Sequence, residues 1–154
     1  MSWNAEFYKN RATEQQIAEH LVLCDVRFVP PLSSRVDIKE YAHKIYAYGM
    51  RFEAWAEGSL VGLVAIYCNH PSENPAYITN VSTVGALPPG ARIASQLLER
   101  VIGYLREHQF KQVDLEVDQD NNKAIRLYER HGFVVGAING HTLLMRLELE
   151  RRPE

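Results

Sequence analysis

The stretch that decides the fold is Asn121-Asn122-Lys123-Ala124-Ile125-Arg126-Leu127-Tyr128-Glu129-Arg130-His131-Gly132-Phe133. Asp120 or Asn121 can cap a short helix there, because their side-chain oxygens accept hydrogen bonds from free N–H groups at a helix start. His131-Gly132 ends the helix, since glycine readily adopts the left-handed conformation that follows many last turns. One side of the helix is apolar at helical spacing, through Ala124, Leu127 and Tyr128.

Strands are predicted on both sides of this helix. Residues 113–117 read Val-Asp-Leu-Glu-Val, and residues 133–137 and 142–149 read as the last two strands. Asn139-Gly140 between those two strands is the signal of a type I′ hairpin turn. Upstream, a long helix is predicted within residues 91–109. Its buried stripe consists of Ile93, Leu97, Val101, Ile102 and Leu105.

The N-terminal half predicts two helices followed by strands. Helices are expected at residues 14–25 and 37–48, where apolar side chains recur at helical spacing, and Thr13 to Gln16 fits a capping box. Glu57-Gly58-Ser59 is a hairpin signal between two of the strands. The predicted strands are residues 3–8, 50–56, 60–67 and 76–84.

The order of these elements predicts an α+β (mixed α/β) domain with a central, mostly antiparallel sheet of about seven strands. The first three long strands should be antiparallel. The long helix then crosses over, so that strands 76–84 and 113–117 become parallel neighbours. Helices should cover both faces of the sheet, since strand 60–67 is apolar almost throughout.

Composition narrows the class of protein. The chain has 154 residues, of which 46% are hydrophobic and 23% are charged, and this suits one domain over residues 1–154. A net charge of −2 argues against a nucleic-acid partner. No apolar run approaches the ~20 residues of a membrane span, and no secretory signal is evident, so we expect a cytoplasmic protein. Cys24 and Cys68 read as reduced thiols. Loops 29–34 and 70–75 read as connections within the domain.

The pattern Asn-x-x-Ala-x-x-Leu-Tyr-x-x-x-Gly-Phe in residues 121–133 resembles the signature that follows the fifth strand in the GNAT N-acetyltransferase superfamily. The order of elements resembles that family over almost the whole chain. The resemblance implies a GNAT-like fold, acetyl-CoA as cosubstrate, and acetyl transfer to an amine. It places the acetyl-CoA loop within residues 78–98.

The loop before the long helix suits a pyrophosphate. A helix start presents free N–H groups and the positive end of a dipole. The family's pattern there is Gln/Arg-x-x-Gly-x-Gly/Ala, whereas this chain has Pro89 first and Arg92 at the central glycine. Pro89 lacks an N–H, and Arg92 either obstructs the phosphate or contacts it. The resemblance implies the cofactor-binding residues Val84, Gly90, Ala91, Arg92, Ile93, Ala94, Ser95 and Asn121.

The resemblance also implies the catalytic residues. Tyr128 matches the tyrosine whose hydroxyl lies near the thioester sulfur, where a phenol can protonate the departing thiolate or hydrogen-bond it. Asn121 binds the pantetheine chain, caps its helix, or does both. Glu116 is our candidate for the general base by strand position. Glu53, Asp114 or a chain of waters could serve instead.

Acceptor residues are expected in the N-terminal half. In the superfamily, the connection between the first two helices forms a wall of the acceptor pocket, and here it contains Arg27, Phe28 and Arg35. These side chains suit a nucleotide-linked amino sugar or another anionic small amine, although they also fit an ordinary packed loop. Strict alternation in strand 76–84 places Asn80 and Ser82 on one face with Ile78 as possible substrate-side groups. Tyr77, Thr79 and Val81 then share the other face.

The histidines do not predict a metal site. His20 and Cys24 are a possible ligand pair four residues apart, but no second pair accompanies them. Three functions therefore stay open at this point: acetylation of a small-molecule amine, acetylation of a peptide or protein amine, and acyl-CoA binding without turnover. The sequence leaves the acceptor, the base, the acyl-chain preference and the choice between monomer and homodimer undecided.

Overall fold

The computed structural model describes residues 3–68 and 75–149. The predicted loop at residues 70–75 lies almost entirely outside this range. The described residues form seven strands and four α-helices, with two short 3₁₀ turns, Asp25–Arg27 and Leu32–Ser34, between the first two helices. In chain order the elements are β1 (Glu6–Lys9), α1 (Glu14–Cys24), α2 (Ile38–Tyr48), β2 (Met50–Ala56), β3 (Ser59–Tyr67), β4 (Ala76–Thr83), α3 (Ile93–Glu107), β5 (Gln112–Asp118), α4 (Asn122–Arg130), β6 (Val134–Asn139) and β7 (Thr142–Glu148).

The helix starts follow the capping residues that the sequence contains. Thr13 and Gln16 form the predicted capping box of α1. Asp37 caps α2 by accepting from Glu40 N at 3.0 Å, and Asn121 caps α4. Among these four helices, α3 alone begins without a side-chain cap. None of the described helices is long and apolar enough to cross a bilayer.

The sheet has the strand order β1-β2-β3-β4-β5-β7-β6. All neighbours are antiparallel except β4 and β5, which confirms the predicted crossover through α3. The parallel pairing is short: it joins Ala76, Tyr77 and Ile78 of β4 to Val113, Asp114 and Leu115 of β5. Residues 79–83 and 116–118 continue as strands without pairing to each other. The two strands therefore diverge in the middle of the sheet.

Two hydrophobic cores lie on opposite faces of the sheet. Along β3, Leu63 and Ala65 pack with α1 and α2, whereas Val64 and Ile66 pack with α3. All four side chains are completely buried. This arrangement confirms that helices cover both faces, and it explains why β3 is apolar at nearly every position.

A β-bulge in β4 corrects the predicted alternation. Ile66 pairs with Ile78, but the preceding residue, Ala65, pairs with Asn80, so Thr79 is the extra residue. Ile78 consequently packs into the α3 core, while Ser82 reaches His20 of α1 on the other face. The prediction that Ile78 shares a face with Ser82 is wrong, because one inserted residue reverses the two-residue period of a strand.

The last hairpin also differs from its prediction. Asn139 still pairs with Thr142, so the two loop residues are Gly140 and His141. Only Gly140 has a positive φ, of 61°, whereas a type I′ turn requires it at both positions. Gln119 holds this loop, because its side chain donates to Gly140 O and its N–H donates to His141 O. By contrast, Glu57 and Gly58 both have positive φ and form the predicted turn between β2 and β3.

A buried carboxylate fastens the start of α1 to the sheet. Glu53 has no exposed surface. It accepts from Ala12 N at 3.0 Å, from Trp55 Nε1 at 3.0 Å and from Arg51 Nε at 3.3 Å. Arg51 is itself only 4% exposed. The pair is thus a buried charge network in which each partner neutralises the other.

We expect Glu53→Ala to lower the free energy of unfolding by about 3–5 kcal/mol, because it leaves the Arg51 guanidinium buried without its counter-charge. Glu14→Ala is the control, since Glu14 pairs with the exposed His43 and such surface pairs contribute at most about 1 kcal/mol. Urea denaturation of both variants measures the difference. Equal losses in the two variants would contradict the assignment.

Candidate active site

A cavity of about 610 Å³ opens where β4 and β5 diverge. Its walls come from the connection between α1 and α2, from β4, from the start of α3, and from β5 with α4. Of the residues predicted from the sequence, those that line the cavity are Arg27, Phe28, Arg35, Asn80, Arg92, Ile93, Ala94, Ser95, Glu116, Asn121 and Tyr128. Val84, Gly90 and Ala91 do not line it. The folded chain thus brings both halves of the sequence to one site.

The start of α3 presents free hydrogen-bond donors to this cavity. The first hydrogen bond of the helix runs from Gln96 N to Arg92 O. The N–H groups of Ile93, Ala94 and Ser95 have no acceptor among the described residues. The Ser95 hydroxyl lies 2.8 Å from His131 Nε2, so its backbone N–H is the group left for a ligand. Three free donors at the positive end of a helix form an anion site.

The residues before α3 are engaged within the loop. Val84 N donates to Val61 O at 3.0 Å, and Ala91 N donates to Pro88 O at 3.2 Å. Gly90 has a φ of +80°, which closes this turn. These contacts leave the N–H groups of Val84 and Ala91 paired away from the cavity. The role of Val84, Gly90 and Ala91 in cofactor binding stays a prediction.

Arg92 has the left-handed backbone conformation that a glycine readily adopts, at the position where the family's pattern has its central glycine. Its φ and ψ are 52° and 39°, in the left-handed region. This conformation costs a residue with a Cβ about 1–2 kcal/mol. Its side chain is exposed and lines the cavity. The departure from the family's pattern therefore changes the side chain but keeps the turn that a glycine would make.

Tyr128 carries a hydroxyl that is free to donate. The residue is 7% exposed and lines the cavity. Its ring packs against Phe133, with ring centres 5.9 Å apart. The hydroxyl makes no hydrogen bond with a described residue, and burial raises the pKa of Tyr128 well above its ordinary value. The phenol therefore holds its proton at neutral pH and faces the cavity.

Of the three carboxylates considered as a base, Glu116 is the one that lines the cavity. Glu53 is held in the buried network described above. Asp114 is paired with Arg146 through two contacts, at 2.9 and 3.2 Å. Glu116 is exposed. Burial, and next the Glu116 charge, raise the pKa of the neighbouring Tyr77 to about 12.

The two arginines of the α1–α2 connection face different parts of the cavity. Arg27 Nε donates to Thr83 O at 3.0 Å, which ties Arg27 to the end of β4 beside the α3 loop. Arg35 lies near Tyr41 and Tyr77, since its charge lowers the pKa of both against the stronger effect of burial. Phe28 is half-buried against the α1–α2 core.

Charge in the cavity opposes the charge of the whole chain. The protein has a net charge of −2, yet basic side chains predominate in the lining. The basic residues are Arg27, Arg35, Arg92, Lys123 and Arg130, and the acidic ones are Glu116 and Asp118. A positive cavity in an acidic protein attracts anionic ligands.

One group of possible metal ligands occurs in the described part of the chain: Asp118, Asp120 and His141. Sequence spacing did not single it out. Asp120 and His141 are exposed, and the His141 Nε2 and Asp120 Oδ2 atoms are 2.9 Å apart. The side-chain hydrogen bond and the charges of both aspartates raise the pKa of His141. These contacts are sufficient to explain why the three side chains lie close together.

The family described as Acetyltransferase (GNAT) family matches residues 15–133. The chain belongs to this family. The match confirms the resemblance seen in residues 121–133, and it makes the chain an acyltransferase. The open seven-stranded sheet is the GNAT fold that the sequence predicted. The non-catalytic alternative is therefore set aside.

Solved structures share this GNAT fold at low sequence identity. The ribosomal-protein-S18-alanine N-acetyltransferase from Escherichia coli is 18% identical, with a TM-score of 0.75, and the match covers 98% of this chain and 97% of that one. The yncA protein from Salmonella typhimurium, solved with acetyl-CoA, is 15% identical with a TM-score of 0.70, and the match covers 98% of this chain and 97% of that one. An aminoglycoside 6′-acetyltransferase type Ii is 12% identical at 0.75, covering 97% and 99%. No curated protein sequence matches the chain.

Arg92→Gly should keep the fold and raise the free energy of unfolding by up to about 1 kcal/mol, since glycine relieves the left-handed strain but loses more entropy on folding. The matched control is Glu99→Gly, an exposed position inside α3. There we expect a loss of about 1 kcal/mol. Denaturant titration measures the free energy of unfolding of both variants. A loss of stability in Arg92→Gly would contradict the left-handed strain assigned to residue 92.

Proposed function

We propose that this GNAT acyltransferase transfers the acetyl group of acetyl-CoA to the primary amine of a small molecule. The observation that carries the proposal is the meeting of two groups in one cavity. The free N–H groups of Ile93, Ala94 and Ser95 open into the space that the free Tyr128 hydroxyl faces. An anion site and a proton donor that line one cleft suit a thioester carried on a phosphorylated group.

The cofactor half of the cavity suits the phosphates of acetyl-CoA. The α3 start would hold the pyrophosphate, and Arg92, Lys123 and Arg130 supply charge for the remaining phosphate oxygens. Asn121 uses its Oδ1 to cap α4, accepting from Ala124 N at 3.3 Å. Its amide N–H groups remain for the pantetheine chain, so the two roles considered for Asn121 are compatible. The acetyl-CoA bound to the Salmonella neighbour supports this assignment.

The reaction is direct transfer. The amine nitrogen bonds to the acetyl carbon while the bond from that carbon to sulfur breaks. Tyr128 gives its proton, or a hydrogen bond, to the departing sulfur. The raised pKa of Tyr128 keeps the phenol protonated at neutral pH, so that its hydroxyl is available as a donor to the sulfur. The cavity walls hold the two reactants together, which removes much of the entropic cost of their encounter.

The acceptor half of the cavity suits a small anionic amine. Arg35 offers a charged fork for a phosphate or carboxylate, and Phe28 offers a surface for a ring. The connection that carries them is braced, because Ser33 N donates to Asp25 Oδ1 at 2.7 Å and Arg27 is tied to Thr83. A braced wall favours a compact acceptor over an extended peptide. A nucleotide-linked amino sugar has the required charge, ring and amine.

Titration calorimetry with acetyl-CoA, followed by a thiol-release assay over a panel of amines, tests this function. We expect acetyl-CoA to bind and to stabilise the fold, by about 2.7 kcal/mol at a concentration one hundred times Kd. Anionic amino sugars should be acetylated faster than neutral amines or peptides of equal amine basicity. Absence of binding to acetyl-CoA and longer acyl-CoAs would exclude the function. A preference for peptide amines would exclude only the acceptor class.

Tyr128→Phe should lower kcat by about 10²-fold, the low end of general-acid assistance, because a CoA thiolate is already a fair leaving group. Acetyl-CoA affinity should stay nearly unchanged, since the interaction belongs to the transition state. Tyr104→Phe is the control, as it removes a phenol hydroxyl from α3 outside the cavity lining. Circular dichroism and a melting curve check the fold. A wild-type kcat, with chemistry shown to limit the rate, would disprove the role.

A further inference from the structure

Three buried polar side chains form a hydrogen-bonded series from α1 to the cavity, on the face of β4 that packs against α1. His20 is 2% exposed, Ser82 is 7% exposed and Asn80 is 4% exposed. His20 Nε2 lies 2.9 Å from Ser82 Oγ, which lies 2.7 Å from Asn80 Oδ1. Ser82 and Asn80 line the cavity, whereas His20 does not. From the sequence, His20 was a candidate only for metal binding, and the proposed acetyl transfer does not use His20.

Both ring nitrogens of His20 have hydrogen-bond partners, and backbone groups of Leu60 and Ser82 raise its pKa against the larger effect of burial. His20 Nδ1 lies 3.2 Å from Leu60 O, and a carbonyl oxygen can only accept. We take the hydrogen to lie on Nδ1, the tautomer that leaves Nε2 free to accept. Burial lowers the pKa of His20 to about 4, so the imidazole is neutral at pH 7. The lone pair of Nε2 then lies 2.9 Å from Ser82 Oγ, whose hydroxyl donates to Asn80 Oδ1 in this structure and can turn to Nε2.

Cys24 does not compete for this lone pair. Its Sγ lies 3.3 Å from Thr83 O and 3.6 Å from His20 Nε2. Burial raises the pKa of Cys24 to about 11, so the thiol keeps its hydrogen and donates it to the Thr83 carbonyl. A serine hydroxyl hydrogen-bonded to a neutral histidine, with the second ring nitrogen held by an acceptor, is the arrangement of an activated hydroxyl.

Asn80 can follow either protonation state of this pair. Ser82 has one hydroxyl hydrogen and two neighbours. While Ser82 donates to His20, the Asn80 amide N–H₂ can donate to Ser82 Oγ. Once Nε2 is protonated and donates to Ser82, the hydroxyl turns to Asn80 Oδ1, which is the 2.7 Å contact. Ser82 therefore keeps both hydrogen bonds whether His20 is neutral or protonated, provided that the Asn80 amide turns over.

We propose that Ser82 receives the proton that the acceptor amine loses and passes its own hydroxyl hydrogen to His20. This inference rests on the proposed function. Ser82 would contact the amine, and His20 acts through Ser82 as a positioning residue. When the nitrogen bonds to the acetyl carbon, its N–H proton moves to Ser82 Oγ while the Ser82 hydrogen moves to His20 Nε2. Ser82 ends neutral and His20 ends as imidazolium.

The proton balance of the whole reaction closes. His20 gains one proton, and Tyr128 gives one to the sulfur as the carbon–sulfur bond breaks. Water in the open cavity then accepts the proton of His20 through Ser82 and supplies a proton to Tyr128, so that both residues return to their starting states. A weak base suffices at His20, because the nitrogen becomes strongly acidic once it is bonded to the acetyl carbon. The assistance should then lie at the low end of the range for general bases.

The tautomer of His20 is the first test and needs no turnover. Nitrogen-15 NMR of the histidine-labelled wild-type protein at pH 7 should show a neutral His20 with its hydrogen on Nδ1. The signal is assigned by the resonance that shifts in Ser82→Ala. A hydrogen on Nε2, or a charged imidazole at pH 7, would overturn the proposal, because Ser82 could then pass nothing to His20.

Kinetics of three variants form the second test. Ser82→Ala should lower kcat by about 10²-fold with an unchanged acetyl-CoA KM, and it should reduce the solvent deuterium isotope effect, since two protons no longer move. Ser82→Thr keeps the hydroxyl and should recover most of the rate. Cys24→Ala, which removes a neighbour of the same imidazole, should behave like the wild type. A purely structural role would leave the isotope effect unchanged.

Three results would overturn the proposal. One is a wild-type kcat and isotope effect in Ser82→Ala while the wild type acetylates an amine, which leaves the proposed function standing. Another is acetylation of Ser82 itself, seen by mass spectrometry after mixing with acetyl-CoA alone, which would make Ser82 a nucleophile. The third is a wild type that binds acetyl-CoA but acetylates no amine, which removes the proposed function as well.

Discussion

The site of this protein depends on the point where two parallel strands stop pairing. After Ile78 in β4 and Leu115 in β5, the backbones diverge, although both strands continue. A fully paired sheet would have no opening here, because neighbouring strands lie only about 4.8 Å apart. The divergence lets Asn80 and Glu116 line one cavity from its two sides. It also opens that cavity to the start of α3, which follows β4 in the chain.

The cavity combines two kinds of polar recognition. At one end, backbone N–H groups of α3 and basic side chains form a positive site in a chain of net charge −2. These groups are free because α3 lacks a side-chain cap, so the ligand would supply the missing acceptor. Along β4, buried polar side chains are already paired with one another, as Ser82 and His20 of α1 show. The free donors of α3 suit a charged ligand, whereas the paired side chains along β4 suit the proton transfer proposed above.

Much of the fold could be predicted from local patterns. The capping box at Thr13, the crossover through α3 and the end of α4 just before His131-Gly132 all follow from patterns within short segments. Two local predictions were wrong for a shared reason. The face of Ile78 and the turn after Asn139 depend on a neighbouring strand or loop, which a local pattern does not contain. The conformation of a short segment follows from the propensities of its own residues, whereas the register of a strand also depends on the strand that pairs with it.

The sequence by itself determined the family, the order of elements and some of the residues of the α3–α4 region that line the cavity. Tyr128 and Asn121 stand within one short motif, and the contacts that place them are local to α4. Only the tertiary structure decided how distant segments meet. His20 and Ser82 are 62 residues apart in the chain, yet they share a hydrogen bond, because a bulge turns Ser82 toward α1. The residue pattern of neither segment predicts that contact. It arises because α1 packs on the sheet and because the pairing of β4 with β3 sets the face on which Ser82 lies.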